Sequence, residues 1–258
     1  MLNHLFIKVG CIVIIVTACF SVAAQKITYK TFDITKYGAN PNDDKDDVPA
    51  IDSAIKAADA WRNNDPHKMG IIKFPASSAG EYLIKSYTEL KNEYLNNYVI
   101  KLRSNLVFRG DDRNKCILKV ADNMFNQRDE NGNKKNANIF YGKYVSNISF
   151  CNLTIDMNGA NNLAISNDTT KEKERVQTLI TIKIEGDSTC SNLLVDNIII
   201  KDNSGRNDIG IYGNGKNAII KNSVFLNGGW NVGSDTIVNS ATGDFSFCGP
   251  PAYDSGHG

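Results

Sequence analysis

Short apolar runs alternate with polar residues along most of the chain, and three of them sit inside one recurring phrase. Asn147-Ile-Ser-Phe-Cys-Asn152-Leu-Thr-Ile, Asn192-Leu-Leu-Val-Asp-Asn197-Ile-Ile-Ile and Asn217-Ala-Ile-Ile-Lys-Asn222-Ser-Val-Phe each place two asparagines five residues apart, with an apolar run after each. The phrases start 45 and 25 residues apart, and a looser copy beginning at Ser104-Asn105 precedes the first by about 42. A period near 22 to 25, doubled where a loop intervenes, predicts a solenoid in which each turn adds short strands to parallel sheets. Asparagine fits the corners of such a stack. It tolerates left-handed backbone, and its amide donates to one coil while accepting from the next, so Asn147, Asn192 and Asn217 should be equivalent, as should Asn152, Asn197 and Asn222.

The amino-terminal fifth follows a different pattern. After a strand-like run from Ile27 to Ile34 comes the turn-rich segment Lys36 to Asp47, then helical spacing of Ile51, Ala54, Ile55 and Ala58 up to Trp61, with Asp47 at the N-cap and Pro49 in the first turn. This helix is expected to plug the exposed end of the first coil. Residues 1–24 stand apart: Lys8, an apolar run from Val9 to Val16 and small residues before Gln25 read as a secretory leader, too short for a membrane span. Val16-Thr17-Ala18-Cys19 offers a competing cut that leaves Cys19 as a lipid anchor on an outer surface. The expected organisation is a leader over 1–24 and one solenoid domain over 25–258, with a cap region over 25–75. The product is secreted or periplasmic, or a surface lipoprotein.

Composition narrows the function. Hydrophobic residues make up 41% of 258, enough for a packed interior in a single domain that grows by adding coils. Removing Lys8 with the leader leaves basic and acidic residues balanced, which argues against a nucleic-acid-binding protein. Cys116, Cys151, Cys190 and Cys248 are even in number, and both disulfides and buried thiols fit an exported chain. Asn42, Asp44 and Asp46 alternate like calcium ligands. However, no glycine follows at the required position and Ser53 stands where a bidentate glutamate belongs, so the acidic loop reads as capping and solvation.

Tyr37-Gly38-Ala39, Asp46-Asp47, Ala50-Ile51, Ala54-Ile55, Gly70-Ile-Ile-Lys-Phe74-Pro75, Glu81-Tyr-Leu-Ile84 and Leu106-Val-Phe-Arg-Gly110, continuing through Leu153 to Gly159, resemble the opening of pectate-lyase-superfamily proteins. The resemblance implies an all-β fold, a right-handed parallel β-helix with an N-terminal capping helix. It is specific for fold and weak for reaction, because the superfamily holds hydrolases, lyases, epimerases and phage tail spikes.

Candidate chemistry gathers toward the carboxyl end. Asp208-Ile-Gly210, Asn231-Val-Gly233 and Asp254-Ser-Gly256 recur every 23 residues, so Asp208, Asn231 and Asp254 should lie at one height of the stack. Two coils separate Asp208 from Asp254, roughly 9.6 Å at the backbone. That lets their carboxyl groups fall within the roughly 6.5 to 9.5 Å of an inverting glycosidase. Asp235 is a third carboxylate. Asn207-Asp208-Ile-Gly210 followed by Gly256-His257-Gly258 is similar to the polygalacturonase order. This implies Asp208 as a carboxylate catalyst and His257 as a substrate-binding or pKa-tuning group, although the Asp-Asp pair of that family is missing between them. Tyr212 and Trp230 are candidates to stack on sugar rings, and Arg206, Lys216 and Lys221 to meet uronate carboxylates. A lyase would instead use Arg206 as base beside bound calcium; hydrolysis needs no cofactor. Polar insertions at 122–138 and 158–173 should project as loops and flank a groove suited to a polymer. The sequence stops at His257-Gly258 within a strand-turn phrase, so further coils and a distal cap are expected beyond it. The leading expectation is an exported enzyme cleaving an acidic polysaccharide by hydrolysis. The alternatives are a lyase or uronate epimerase on the same fold, or a non-catalytic surface β-helix that binds glycans.

Overall fold

The asparagines stack as their spacing requires. In the computed structural model, Asn147 Nδ2 donates to Asn105 Oδ1 at 2.7 Å, Asn192 to Asn147 at 2.7 Å and Asn217 to Asn192 at 3.0 Å. At the next corner Asn197 donates to Asn152 Oδ1 at 2.8 Å, while Asn222 departs from the pattern and donates to Asp196 Oδ1 at 2.9 Å. All seven corner residues adopt left-handed backbone, with φ between 53° and 61°. A side chain with a Cβ resists that conformation, and asparagine resists it least.

The structure describes residues 26–78, 80–90, 97–125, 137–162, 176–186, 191–203, 205–212, 216–226 and 245–247. Between the corners run the strands of three sheets. The first sheet holds β1 (Thr28–Asp33), β2 (Lys68–Phe74), β5 (Leu106–Gly110), β8 (Ile148–Cys151), β11 (Ser191–Asp196) and β14 (Lys216–Lys221). The second holds β3 (Tyr82–Ile84), β6 (Ile117–Val120), β9 (Thr154–Asp156), β12 (Ile199–Lys201) and β15 (Val224–Leu226). The third holds β4 (Tyr98–Lys101), β7 (Asn138–Lys143), β10 (Val176–Glu185), β13 (Gly205–Tyr212) and β16 (Phe245–Phe247). Among the described residues every pairing of these strands is parallel except that of β16 with β13. The chain is therefore a parallel β-helix, each coil passing through the third, first and second sheets in turn.

The interior is built by register. Phe108 lies opposite Phe150, and their rings stack at 5.1 Å while Phe140 from the third sheet meets both edge-on at 5.2 and 4.9 Å. Asn138 spans three coils at the start of the third sheet, its amide donating to Asn97 O at 3.1 Å and its oxygen accepting from Ile180 N at 3.1 Å. The long insertions contribute more to the core than their polarity suggests: Met124 and Phe125 at the edge of the first are buried, and Asn162 Oδ1 in the second accepts from Phe125 N. The bodies of both insertions lie outside the described residues.

Helix α1 (Val48–Arg62) buries Ile51, Ala54, Ile55 and Ala58 against the first coil. The approach is close. A Cβ on Gly70 of β2 would stand 2.8 Å from the Ala58 Cβ, so both positions must be small. Asp47 occupies the N-cap, but its carboxylate makes no capping bond to the helix. It accepts instead from Asn40 N and Leu83 N, each at 2.8 Å, fastening the acidic loop and the second sheet to the helix start. Asp46 likewise accepts from Lys85 N at 2.9 Å, so these two carboxylates serve backbone donors.

Two expectations follow. Asn197→Leu removes a ladder amide and puts a branched side chain into left-handed backbone; chemical denaturation should register a loss of about 1–3 kcal/mol, and an unchanged midpoint would mean the ladder carries no stability. Burial raises the Asp47 carboxyl above its ordinary value, against the pull of the two backbone N–H groups. The folded state thus holds the proton more tightly than the unfolded chain, and this contribution is complete at low pH and lost as pH rises through the folded-state value. The stability advantage of wild type over Asp47→Asn should accordingly widen as pH falls from neutral toward 4; a narrowing would reverse the sign.

Candidate functional site

The outer faces of the three sheets differ in kind. On the first, Lys73, Arg109, Cys151, Asp196 and Lys221 lie in register, with ion pairs Lys73–Asp111 at 3.2 Å and Lys221–Asp196 at 3.3 Å. On the second, Lys119 meets Glu81 at 2.9 Å and Lys201 meets Asp156 at 2.7 Å. The pairs on the first face are partly exposed and contribute little to stability, whereas Asp156 on the second is itself buried.

The third sheet is different. Phe140, Ile182 and Ile209 align across β7, β10 and β13, as do Gly142, Ile184 and Ile211, and the phenylalanine and isoleucines belong to the core. Strand alternation directs the residues between them outward. These form two rows, Tyr141–Lys183–Gly210 and Lys143–Glu185–Tyr212, with Lys101 extending the first onto β4. The Lys183 ammonium lies 5.8 Å from the ring centres of both Tyr141 and Tyr212. It pairs with Glu185 Oε1 at 2.7 Å, and Glu185 Oε2 accepts from the Tyr141 hydroxyl at 3.1 Å. Tyr98 stacks on Tyr141 at 6.2 Å with Lys101 beside it. Gly210 makes room for Tyr212: a Cβ there would stand 2.7 Å from the tyrosine ring. The ring folds back along the strand, and its hydroxyl accepts from Asn207 Nδ2 at 3.3 Å.

The lysine side chain is only 9% exposed and the glutamate 24%, so this group sits in a partly dry setting where charge interactions act more strongly than in water. Rings, ammonium and carboxylate together offer stacking surface, a cation for an anionic substituent, and proton-carrying groups within hydrogen-bond reach of one another.

The residues singled out from sequence are distributed unevenly over this geometry. Asp208 and Tyr212 lie on β13, and Arg206 is on the same strand. Asp208 is level with Thr181, and both are fully buried; its Oδ1 accepts from Asn203 Nδ2 at 3.0 Å. Among the described residues the Thr181 hydroxyl has no hydrogen-bond partner. Lys221 stands apart on the first sheet, paired with Asp196. Asp254, Asp235, His257, Asn231 and Trp230 lie outside the described residues, as does the comparison of Asp208 with Asp254. Tyr98, Tyr141, Lys183 and Glu185 were not singled out by sequence. Their signal was present in the strict alternation Ile180-Thr-Ile-Lys183-Ile-Glu185. Cys116 and Cys151 are free thiols, each raised above its ordinary value by burial, with Arg109 opposing that rise at Cys151.

The sequence profile of the family described as rhamnogalacturonase A/epimerase, pectate lyase-like matches residues 31–244. The chain belongs to that family. Among solved structures, the A-module of the Azotobacter vinelandii mannuronan C-5 epimerase AlgE6 superposes with a TM-score of 0.55 at 19% identity, covering 75% of this chain and 43% of the module. The AlgE4 A-module of the same organism gives 0.51 at 18%, covering 77% and 44%. This family member thus spans less than half of either module, and at these identities the likeness is one of fold. No curated protein sequence matches it.

Gly210→Ala tests the built face, since the new methyl displaces the Tyr212 ring while the strand keeps its register. Stability should change by about 1 kcal/mol or less, and the Tyr212 ring resonances should lose their contacts with Lys183. Unaltered contacts would show that the ring does not depend on the glycine.

Proposed function

We propose that this protein is an exported enzyme acting on a uronate-containing polysaccharide laid along the outer face of the third sheet. The observation that carries the reading is Lys183, an ammonium held between two tyrosine rings and beside a carboxylate on the outer face of the third sheet. Sugar rings present apolar C–H faces to a partly exposed tyrosine such as Tyr212, and a uronate adds an anion for the lysine. Membership of the rhamnogalacturonase A/epimerase, pectate lyase-like family supports a carbohydrate substrate. The epimerase modules of the same fold, named for mannuronan, support a polyuronate. Among the described residues no helix is long and apolar enough to cross a membrane.

Within that class the described residues favour chemistry at the proton α to the uronate carboxylate. Lys183 neutralises the carboxylate, which lowers the cost of removing the adjacent proton, and Tyr141, Glu185 and Tyr212 are the groups placed to carry protons. Return of the proton to the other face gives epimerisation; loss of the glycosidic oxygen gives elimination. Glycoside hydrolysis is the second reading, favoured by Asp208 on the same sheet, with Asp254 as its partner carboxylate, Asp235 and His257 assisting, and Asn231, Arg206 and Trp230 contacting sugar. Asp208 is fully buried and held by Asn203, whereas Glu185 keeps a quarter of its side chain exposed, which favours the first reading over this one.

One assay separates the three outcomes. On a panel of polyuronates in deuterated water, epimerisation incorporates deuterium at C5 without new chain ends. Elimination yields unsaturated ends, and hydrolysis yields saturated reducing ends alone. We expect one of the first two, and Lys183→Met should reduce it about 100-fold or more with the fold intact. Turnover undiminished in Lys183→Met would contradict the site, and saturated ends alone would return the chemistry to Asp208 and Asp254.

A further inference from the structure

Tyr144 follows β7 directly and turns the chain from the third sheet toward the first with φ of 58°. Among the described non-glycine residues with positive φ, every other one is asparagine or aspartate. A tyrosine at such a position costs backbone strain that asparagine largely avoids. The next coil leaves the third sheet differently. Tyr144 N donates to Glu185 O at 2.8 Å, and one coil on Gly186 N donates to Tyr212 O at 3.0 Å, so Gly186 is the equivalent of Tyr144. Gly186 has φ of 159°, close to extended backbone, so the left-handed conformation is particular to the Tyr144 coil.

Among the described residues no burial accounts for the ring. Tyr144 is 59% exposed, the most exposed of the large hydrophobic side chains among the described residues. Its one described ring contact is the Lys143 ammonium at 5.7 Å. Lys143 is itself exposed and belongs to the outward row Lys143–Glu185–Tyr212. Strain without burial marks a position where the side chain serves something other than the fold.

We infer that Tyr144 and Lys143 form a sugar-binding subsite at the rim of the third-sheet face, with the tyrosine ring as a platform for the apolar face of a hexuronate and the lysine receiving its carboxylate. This rests on the polyuronate reading of that face. Tyr144 lies one strand over and three residues along from Lys183, roughly 11 Å at the backbone, so it holds a sugar flanking the reacting one. The occupant is a uronate because a neutral sugar would leave Lys143 without an anion, whereas a uronate engages ring and ammonium together.

The test measures binding of oligogalacturonate, oligomannuronate and a neutral oligoglucose to the full chain, together with melting temperature. Wild type and Tyr144→Phe should bind a uronate oligosaccharide alike. Tyr144→Gly and Tyr144→Asn should bind it about tenfold more weakly while melting at the same temperature or higher, because both relieve the strained turn. Lys143→Gln should weaken the uronate and leave oligoglucose unchanged. Undiminished uronate binding by Tyr144→Gly would overturn the subsite alone, and a lower melting temperature in both Tyr144→Gly and Tyr144→Asn would reassign the ring to packing. Wild type that binds neither uronate would remove the subsite and the polyuronate reading together.

Discussion

Every other feature of this molecule depends on the hydrogen bonds that asparagine amides make from coil to coil. Asn105, Asn147, Asn192 and Asn217 hold one corner at a constant rise, and each takes up left-handed backbone that turns the chain from the third sheet into the first. Fixing the corner fixes the register of the strands on both sides, since a slip by one residue would exchange the inward and outward faces of a whole strand. The phenylalanines of the core align for this reason, and so do the outward rows of the third sheet. Tyr141, Lys183 and Gly210 meet because their coils stand at one height, although 42 residues separate the first two and 27 the last two.

The same constraint sets apart the face proposed as the site. On the first and second sheets the outward rows carry mainly partly exposed ion pairs, and paired charges at a surface contribute little. On the third, aromatic rings close around a lysine, and a glycine permits one of those rings to lie flat along its strand. Partial burial of Lys183 and Glu185 makes their interaction stronger and their loss of solvent costlier, so the pair is more consistent with a preorganised binding surface than with surface decoration.

Much of the fold was legible in the sequence because asparagine at a left-handed corner is a local requirement, readable wherever the phrase recurs. The capping helix was legible for the same reason, its apolar positions following the helical period onto the first coil. The bonds of the Asp47 carboxylate to Asn40 and Leu83 were not legible, since the second depends on a strand 36 residues away that no local pattern reveals. Phe125 was hidden among polar neighbours and needed a partner in Asn162 from the next insertion. The candidate site was less legible still. Aspartate before glycine drew the eye to Asp208, which the fold buries, while Lys183 and Glu185 alternate with isoleucines and read as ordinary solvated positions until Tyr141 and Tyr212 are brought alongside. Aromatic rings from three coils make that site, and contacts between coils are set by stacking rather than by neighbours in sequence.

A crystal structure of the full chain with a bound uronate oligosaccharide tests the central claim most directly. The account predicts sugar density along the third sheet, with a uronate carboxylate within hydrogen-bonding distance of the Lys183 ammonium and a pyranose face against Tyr141 or Tyr212. Sugar seated on the first or second sheet, with the Lys183–Glu185 pair untouched, would contradict it.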